Sequence, residues 1–317
     1  MLKKLLIPLI LLLAVSAHGQ KETMNDSLRK IFLAHEDSIS KLMRMTVKAK
    51  DDPEKIEINT SLKKQIDEVL RLPESHSYPF DSLKKFRMMQ VSDDKELRIV
   101  TWDMQMDDLS HRYFGYLQHY NAAAKSWDLF ELKDKSDEIK NPETAVLSHE
   151  KWFGCYYFRI VQTEYKKKKY YTLLGWDGND KITQKKLIEV LTFNAQGEPV
   201  FGAEKLIEVY KYIGKTDKLL IVWQNRLIFE WKQKIAMALK WDENEKLIIF
   251  DHLSPEDSSK KGQYQFYGPD FSLDALEWEK GKWRYKSDTQ AGKNPGSEQD
   301  KKYNEPSKDP KVSDPPR

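Results

Sequence analysis

Residues 170–202, YYTLLGWDGNDKITQKKLIEVLTFNAQGEPVFG, decide the fold, because they set two apolar runs on either side of a short polar turn. Residues 170–176 and 186–193 are rich in aromatic and β-branched side chains, which suit a pleated, half-buried surface. Between them Asp177, Gly178, Asn179 and Asp180 accept the backbone angles that a reversal needs, so the stretch reads as a hairpin. In the second run Leu187, Leu191 and Phe193 fall on one face and Ile188, Val190 and Thr192 on the other. A strand that is apolar on both faces belongs inside a sheet covered on each side, by a second sheet or by helices.

Upstream of the hairpin the spacing is at first helical. Leu28, Ile31, Phe32, His35, Ile39, Leu42, Met43 and Thr46 recur every three or four residues with charges between them, which predicts an amphipathic helix ended by Asp51, Asp52 and Pro53. Its stripe suits one face of the central sheet, or a partner protein. A second helix is expected to start at Thr60 or Ser61, to run through Leu62, Ile66, Val69 and Leu70, and to stop at Pro73. A short helical turn is expected around Leu83.

From residue 87 onward the period changes to two. Val100, Trp102, Met104 and Met106 share one face of 97–106, and Phe114, Tyr116 and Tyr120 one face of 112–120, with polar turns between; 127–132 continues this meander and 133–141 is a charged loop. After the hairpin, strands are expected at 205–212, 219–224, 226–231, 236–241 and 247–252, then a run at 264–267, a break at Gly268-Pro269-Asp270, and a last hairpin over 276–285 turning at Lys280-Gly281. The expected class is α+β: mainly antiparallel β meander and hairpins, with amphipathic helices at the N terminus. The expected division is a signal peptide over 1–19, a helical segment over 20–86, an antiparallel β domain over 87–286 and a disordered tail over 287–317, where little remains to bury.

The first residues carry Lys3 and Lys4, an apolar run from Leu5 to Val15, and Ala17-His18-Gly19, the pattern of a secretory signal peptide cut after Gly19 or Ala17. The run is too short to span a bilayer, and no transmembrane segment is expected in the mature chain. Its removal takes two of the 53 basic residues and none of the 50 acidic ones, so the mature chain is nearly neutral and has no general field for nucleic acid. Cys155 is the single cysteine and excludes an internal disulfide; within the apolar segment 152–161 it reads as a small core residue.

Candidate sites are few. Trp102, Trp127, Trp176 and Trp241 each precede an aspartate, but their separations of 25, 49 and 65 residues lack the period of a propeller. Asp177, Asn179 and Asp180 offer oxygens that suit a weak metal site, yet Lys181 stands at a ligand position of an EF-hand loop and the loop's glycine is missing, so turn chemistry is the plainer account and no cofactor is expected. His111 and His119 lie too far apart on one strand to grip a metal together. Asp251, His252 and Ser254 hold the residue types of a hydrolytic triad without a nucleophile elbow. Lys166, Lys167, Lys168 and Lys169 read as a solvated hairpin tip.

The segments YYTLLGWDGND, KKLIEVLTFN, EPVFG, FDHLSP and YGPDFSLD together resemble a family of exported Bacteroidetes proteins of unknown function, over roughly residues 153–283. The resemblance implies a cell-envelope or secreted setting and brings no catalytic residues with it.

Many aromatics on a β scaffold, without an acid-base constellation, point to a non-catalytic binding or envelope-associated domain for a glycan or peptide. Trp176, Asp177, Asp251, His252 and Asp270 are the candidate binding surface. The alternative is a hydrolase whose carboxylates, Asp177, Asp180, Asp251 and Asp270, meet at the strand ends. Amino-terminal sequencing of the exported protein should begin at Gln20, or at His18 if the cut follows Ala17; purified protein that keeps residues 1–19 contradicts this reading.

Overall fold

The computed structural model describes residues 24–212, 219–287 and 289. The expected signal peptide and nearly all of the expected tail lie outside them. Within them the protein is β-rich, with few helices and three antiparallel sheets. No described helix is long and apolar enough to cross a membrane.

Helix α1 (Asp26–Lys48) and helix α2 (Asp52–Leu70) meet at a tight corner. Asp51, Asp52 and Pro53 open α2 instead of closing α1: the Asp51 carboxylate accepts from the Glu54 amide at 3.0 Å and the proline sits in the first turn, where no amide partner is needed. The expected start at Thr60 or Ser61 is therefore too late. Both hydroxyls instead bond back to the carbonyls of Ile56 and Glu57 within the helix. A third helix, α3 (Asp81–Lys85), follows.

The first sheet has the order β1-β2-β3-β4, from β1 (Met89–Val91), β2 (Leu97–Gln105), β3 (His111–Asn121) and β4 (Ser126–Lys133). Its Val100, Trp102 and Tyr116 face the helices and pack with Phe32, Ile39, Leu62, Ile66 and Val69. The stripe of α1 thus covers this sheet, not the central one, whose two faces are already occupied.

The middle sheet holds β5 (Leu147–Ser148), β6 (Tyr156–Tyr165), β7 (Lys168–Asp177), β8 (Thr183–Phe193) and β9 (Pro199–Phe201), ordered β5-β9-β8-β7-β6. Strands β7 and β8 are the hairpin read from the sequence, paired from Tyr171 with Leu191 to Asp177 with Lys185. Leu187 and Leu191 pack against Leu97, Ile99, Tyr113 and Leu117 of the first sheet. Ile188 and Val190 point the other way, into a core shared with the third sheet. The double-faced strand therefore has a sheet on each side.

The third sheet runs β11-β10-β16-β15-β14-β13, with β10 (Ile207–Tyr212), β11 (Leu219–Gln224), β13 (Leu239–Asp242), β14 (Leu247–Pro255), β15 (Tyr267–Glu279) and β16 (Lys282–Lys286). Its pairs are antiparallel except β10 beside β16. Gly268-Pro269-Asp270 does not break the chain: β15 runs through it, with the ladder to β14 shifting between Asp251 and Leu253. Asp270 makes the bulge tolerable, its carboxylate accepting from the Ser272 hydroxyl at 2.7 Å and the Ser254 hydroxyl at 2.8 Å.

Between β11 and β12 (Arg226–Lys232) the chain changes sheets in one residue. Gln224 pairs with Ile207 in the third sheet and Arg226 with Glu189 in the middle one. Asn225 fixes the step, its amide donating to the Thr144 carbonyl at 2.6 Å and its side-chain oxygen accepting from the Lys205 amide at 2.8 Å. Arg226 and Glu189 are both 0% exposed; the guanidinium donates to the carboxylate, and also to the Pro142 carbonyl at 2.5 Å, while Tyr157 donates its hydroxyl to the same carboxylate. Removing one charge from such a pair strands the other in the core. Arg226→Ala should lower unfolding free energy by about 3–5 kcal/mol in urea titrations, and Glu189→Leu with Arg226→Met together by clearly less; equal losses from the single and the double replacement contradict this account.

Candidate functional site

A cleft of about 900 Å³ opens where the first and middle sheets end beside α2. One wall is Ile56, Asn59, Thr60 and Lys63 of α2; another is the start of β3 and the end of β4; the 3-10 turn Ser136–Glu138 closes the rim. Phe153, just before β6, and Asp177, Asn179 and Lys185 of the central hairpin reach it from below. The size is that of an ordinary small-ligand site.

Asp177 ends β7, so the central hairpin carries it to this cleft. It is only 7% exposed. Its Oδ1 accepts from the Tyr113 hydroxyl at 3.0 Å and from the Asn179 amide at 2.7 Å, and the Gly178 amide donates to the Tyr113 hydroxyl at 2.7 Å. Its Oδ2 has no hydrogen-bond partner among the described residues. Burial pushes the Asp177 carboxyl above its ordinary value, against the opposing pull of the Lys185 ammonium. Burial likewise raises the Tyr113 phenol, so that it stays a donor.

The turn that follows is built on local bonds. Asn179 takes a left-handed conformation at φ +52°, and its side-chain oxygen accepts from the Lys185 ammonium at 2.8 Å. Asp180 Oδ1 accepts from the amides of Ile182 and Thr183. Gly178 is needed for space: a Cβ there would lie 2.3 Å from His111 Nε2. That imidazole rests on the turn, with Nδ1 2.9 Å from Asp103 Oδ2. Oδ1 of Asp177 and the oxygens of Asn179 and Asp180 are thus turned to separate partners, and no group of three or more metal-binding His, Cys, Asp or Glu side chains occurs among the described residues.

The remaining sequence candidates lie elsewhere. Trp176 is half-buried, its indole N–H donating to Gln184 at 3.2 Å. Asp251, His252, Ser254 and Asp270 belong to β14 and β15 of the third sheet. His252 is not held by its neighbour Asp251, which accepts from the Ala238 amide at 2.6 Å, but by Asp274, with Nδ1 2.7 Å from its Oδ2. Its Nε2 lies 3.9 Å from Asp270, and Ser254 donates to Asp270 and not to the histidine, so the three residue types do not form a triad. Of the four carboxylates considered for hydrolysis, only Asp177 lines the cleft. Cys155 is fully buried in the core between the first and middle sheets.

Sequence reasoning missed Tyr113, Asp134 and Lys185. Tyr113 lies on the face of β3 opposite Phe114 and Tyr116, which the alternation marked as the apolar one. Asp134 was part of a charged loop; its carboxylate accepts from the Tyr113 amide at 3.2 Å and the Ser136 hydroxyl at 2.7 Å. Gly154 leaves room for it, since a Cβ there would stand 2.3 Å from the carboxylate carbon. Lys185 is the one of the three with a sequence signal: a strand-start lysine facing the turn aspartate.

No family model matches the chain, and neither a curated protein nor a solved structure matches it.

The hydrogen bond to Asp274 raises the His252 pKa above 6.5, and partial burial opposes it. The stability that this contact lends is full below the unfolded value near 6.5 and is lost as pH rises through the higher folded value. In NMR titration His252 should have a midpoint above 6.5 that falls back in Asp274→Asn; His252→Gln should be less stable than the parent at about pH 6 and equal to it at about pH 9. A His252 midpoint at or below the ordinary value refutes the contact.

Proposed function

We propose that this is an exported, non-catalytic binding domain whose cleft over Tyr113 and Asp177 takes a polar ligand. The observation that carries the reading is the floor of the cleft, where a nearly buried carboxylate has one oxygen committed to Tyr113 and Asn179 and the other without a partner. That oxygen opens to the cleft, where a ligand donor can take the place of water. The serines of the cleft support binding over covalent catalysis: Ser110 and Ser136 donate to Asp108 and Asp134, and neither is joined to a histidine. The export setting rests on the basic, apolar and small-residue pattern of residues 1–19.

One observation favours hydrolysis as a second reading. Tyr113 bonds Asp134 through its amide and Asp177 through its hydroxyl, so two carboxylates of the cleft stand about a tyrosine's length apart. Burial raises the Asp177 pKa in the direction that an acid needs.

Glycan and peptide arrays probed with the purified protein should retain ligands whose binding weakens at least about 10-fold in Asp177→Asn and is unchanged in Asp270→Asn. Cleavage of a retained ligand, abolished in the same variant, transfers the cleft to the hydrolase reading. Ligands held equally by Asp177→Asn place binding elsewhere and overturn both.

A further inference from the structure

Strand β3 is paired on one side only over its first three residues. The ladder with β2 extends to Gln105 opposite His111, but the ladder with β4 stops at Phe114 opposite Lys133. Beyond Lys133 the chain leaves the first sheet: Asp134 pairs with Trp152, and Lys135 donates its amide to the Trp152 carbonyl at 2.9 Å. The line that β4 would have continued holds no strand, only the Asp134 carboxylate at the Tyr113 amide, and His111, Arg112 and Tyr113 line the cleft there.

Which backbone groups face the vacancy follows from antiparallel alternation. The Met106 amide donates to the Ser110 carbonyl at 2.8 Å, so Ser110 and Arg112 turn their main-chain groups to β2, while His111 and Tyr113 turn theirs away. The Tyr113 amide agrees, since it bonds the Asp134 carboxylate and not β2. The amide and carbonyl of His111 and the carbonyl of Tyr113 therefore point to the vacated position.

We propose that the ligand of the cleft is an extended peptide that adds to β3 at His111 and Tyr113, with an ammonium group opposite Tyr113 that reaches Asp177 Oδ2. This rests on the cleft being a binding site and names what fills it. Directly opposed residues of paired strands share a face, and the Tyr113 side chain leads to Asp177, so the peptide group across from it is directed to the same carboxylate. A cation there neutralises a buried charge that Lys185, already donating to Asn179, only partly balances. A glycan fits less well, because the rings of Tyr113 and Phe153 are buried and Phe114, half-buried against Trp102, is the phenyl ring left to stack on. The ammonium has two possible sources in a peptide, a lysine side chain or the amino terminus.

The test passes a library of unstructured octapeptides over the immobilised protein and resynthesises those retained in three forms: acetylated at the amino terminus, with lysine replaced by norleucine, and N-methylated at alternate residues. One of the first two should weaken binding at least about 10-fold and so identify the source of the ammonium, and one N-methyl register should do the same while the other does not. Asp177→Asn should erase the difference between the ammonium-bearing peptide and its neutral form, and bound peptide should slow hydrogen exchange at the His111 amide. Retained peptides that are indifferent to N-methylation, or that leave His111 exchange unchanged, overturn strand addition. If no peptide is retained while a glycan binds in an Asp177-dependent way, the cleft remains a binding site and the peptide inference fails; if neither binds, both fail.

Discussion

The arrangement depends on a single sheet that is buried on both faces. Once β7 and β8 carry apolar side chains in both directions, neither face can be left to water, and the chain has to supply a layer for each. The first sheet meets Leu187 and Leu191, and the third meets Ile188 and Val190. The first sheet then has its own outer face to cover, which explains why the helices pack there. The layers are also tied by polar links: Tyr157 donates its amide to Thr101 at 3.0 Å on one side, and Trp283 its indole N–H to Thr172 at 2.9 Å on the other.

The same burial dictates the chemistry of Glu189, the fully buried charge of β8. Glu189 shares the face of Leu187 and Leu191 and has no water, so its carboxylate is held by Arg226 and Tyr157. Arg226 arrives there only because the chain crosses from the third sheet to the middle one at Asn225. A buried ion pair of this kind adds little net stability against an apolar pair but strongly disfavours a register in which either partner is alone. The cleft is a consequence of where strands stop. β7 ends at Asp177, β4 departs after Lys133 towards Trp152, and Gly154 lets Asp134 fill part of the gap with a carboxylate instead of a strand.

Much of this was legible in the sequence where periodicity is local. The central hairpin, the helical stripe of α1 and the turn at Lys280-Gly281 follow from alternation, three-to-four spacing and turn residues that accept positive φ. What stayed hidden depends on long-range pairing. Asp51 reads equally as a stop for one helix or a cap for the next, and only the tertiary corner decides it. Gly268-Pro269-Asp270 looks like a break because its repair comes from Ser254 and Ser272, one of them on another strand. Asp177 could be singled out from its turn, but Tyr113, which lies 64 residues earlier, gives the carboxylate its burial and its partner. His252 was grouped with Asp251 by adjacency, whereas strand pairing gives it Asp274.

Native-state hydrogen exchange tests the two-sided burial of the middle sheet most directly. The amides of Leu173, Leu187, Ile188 and Val190 should be the slowest in the protein and should exchange only through global unfolding, with the same denaturant dependence as the whole chain. Exchange of these amides through local opening, or at rates matched by the outer strands β13 and β11, would contradict a fold built around that sheet.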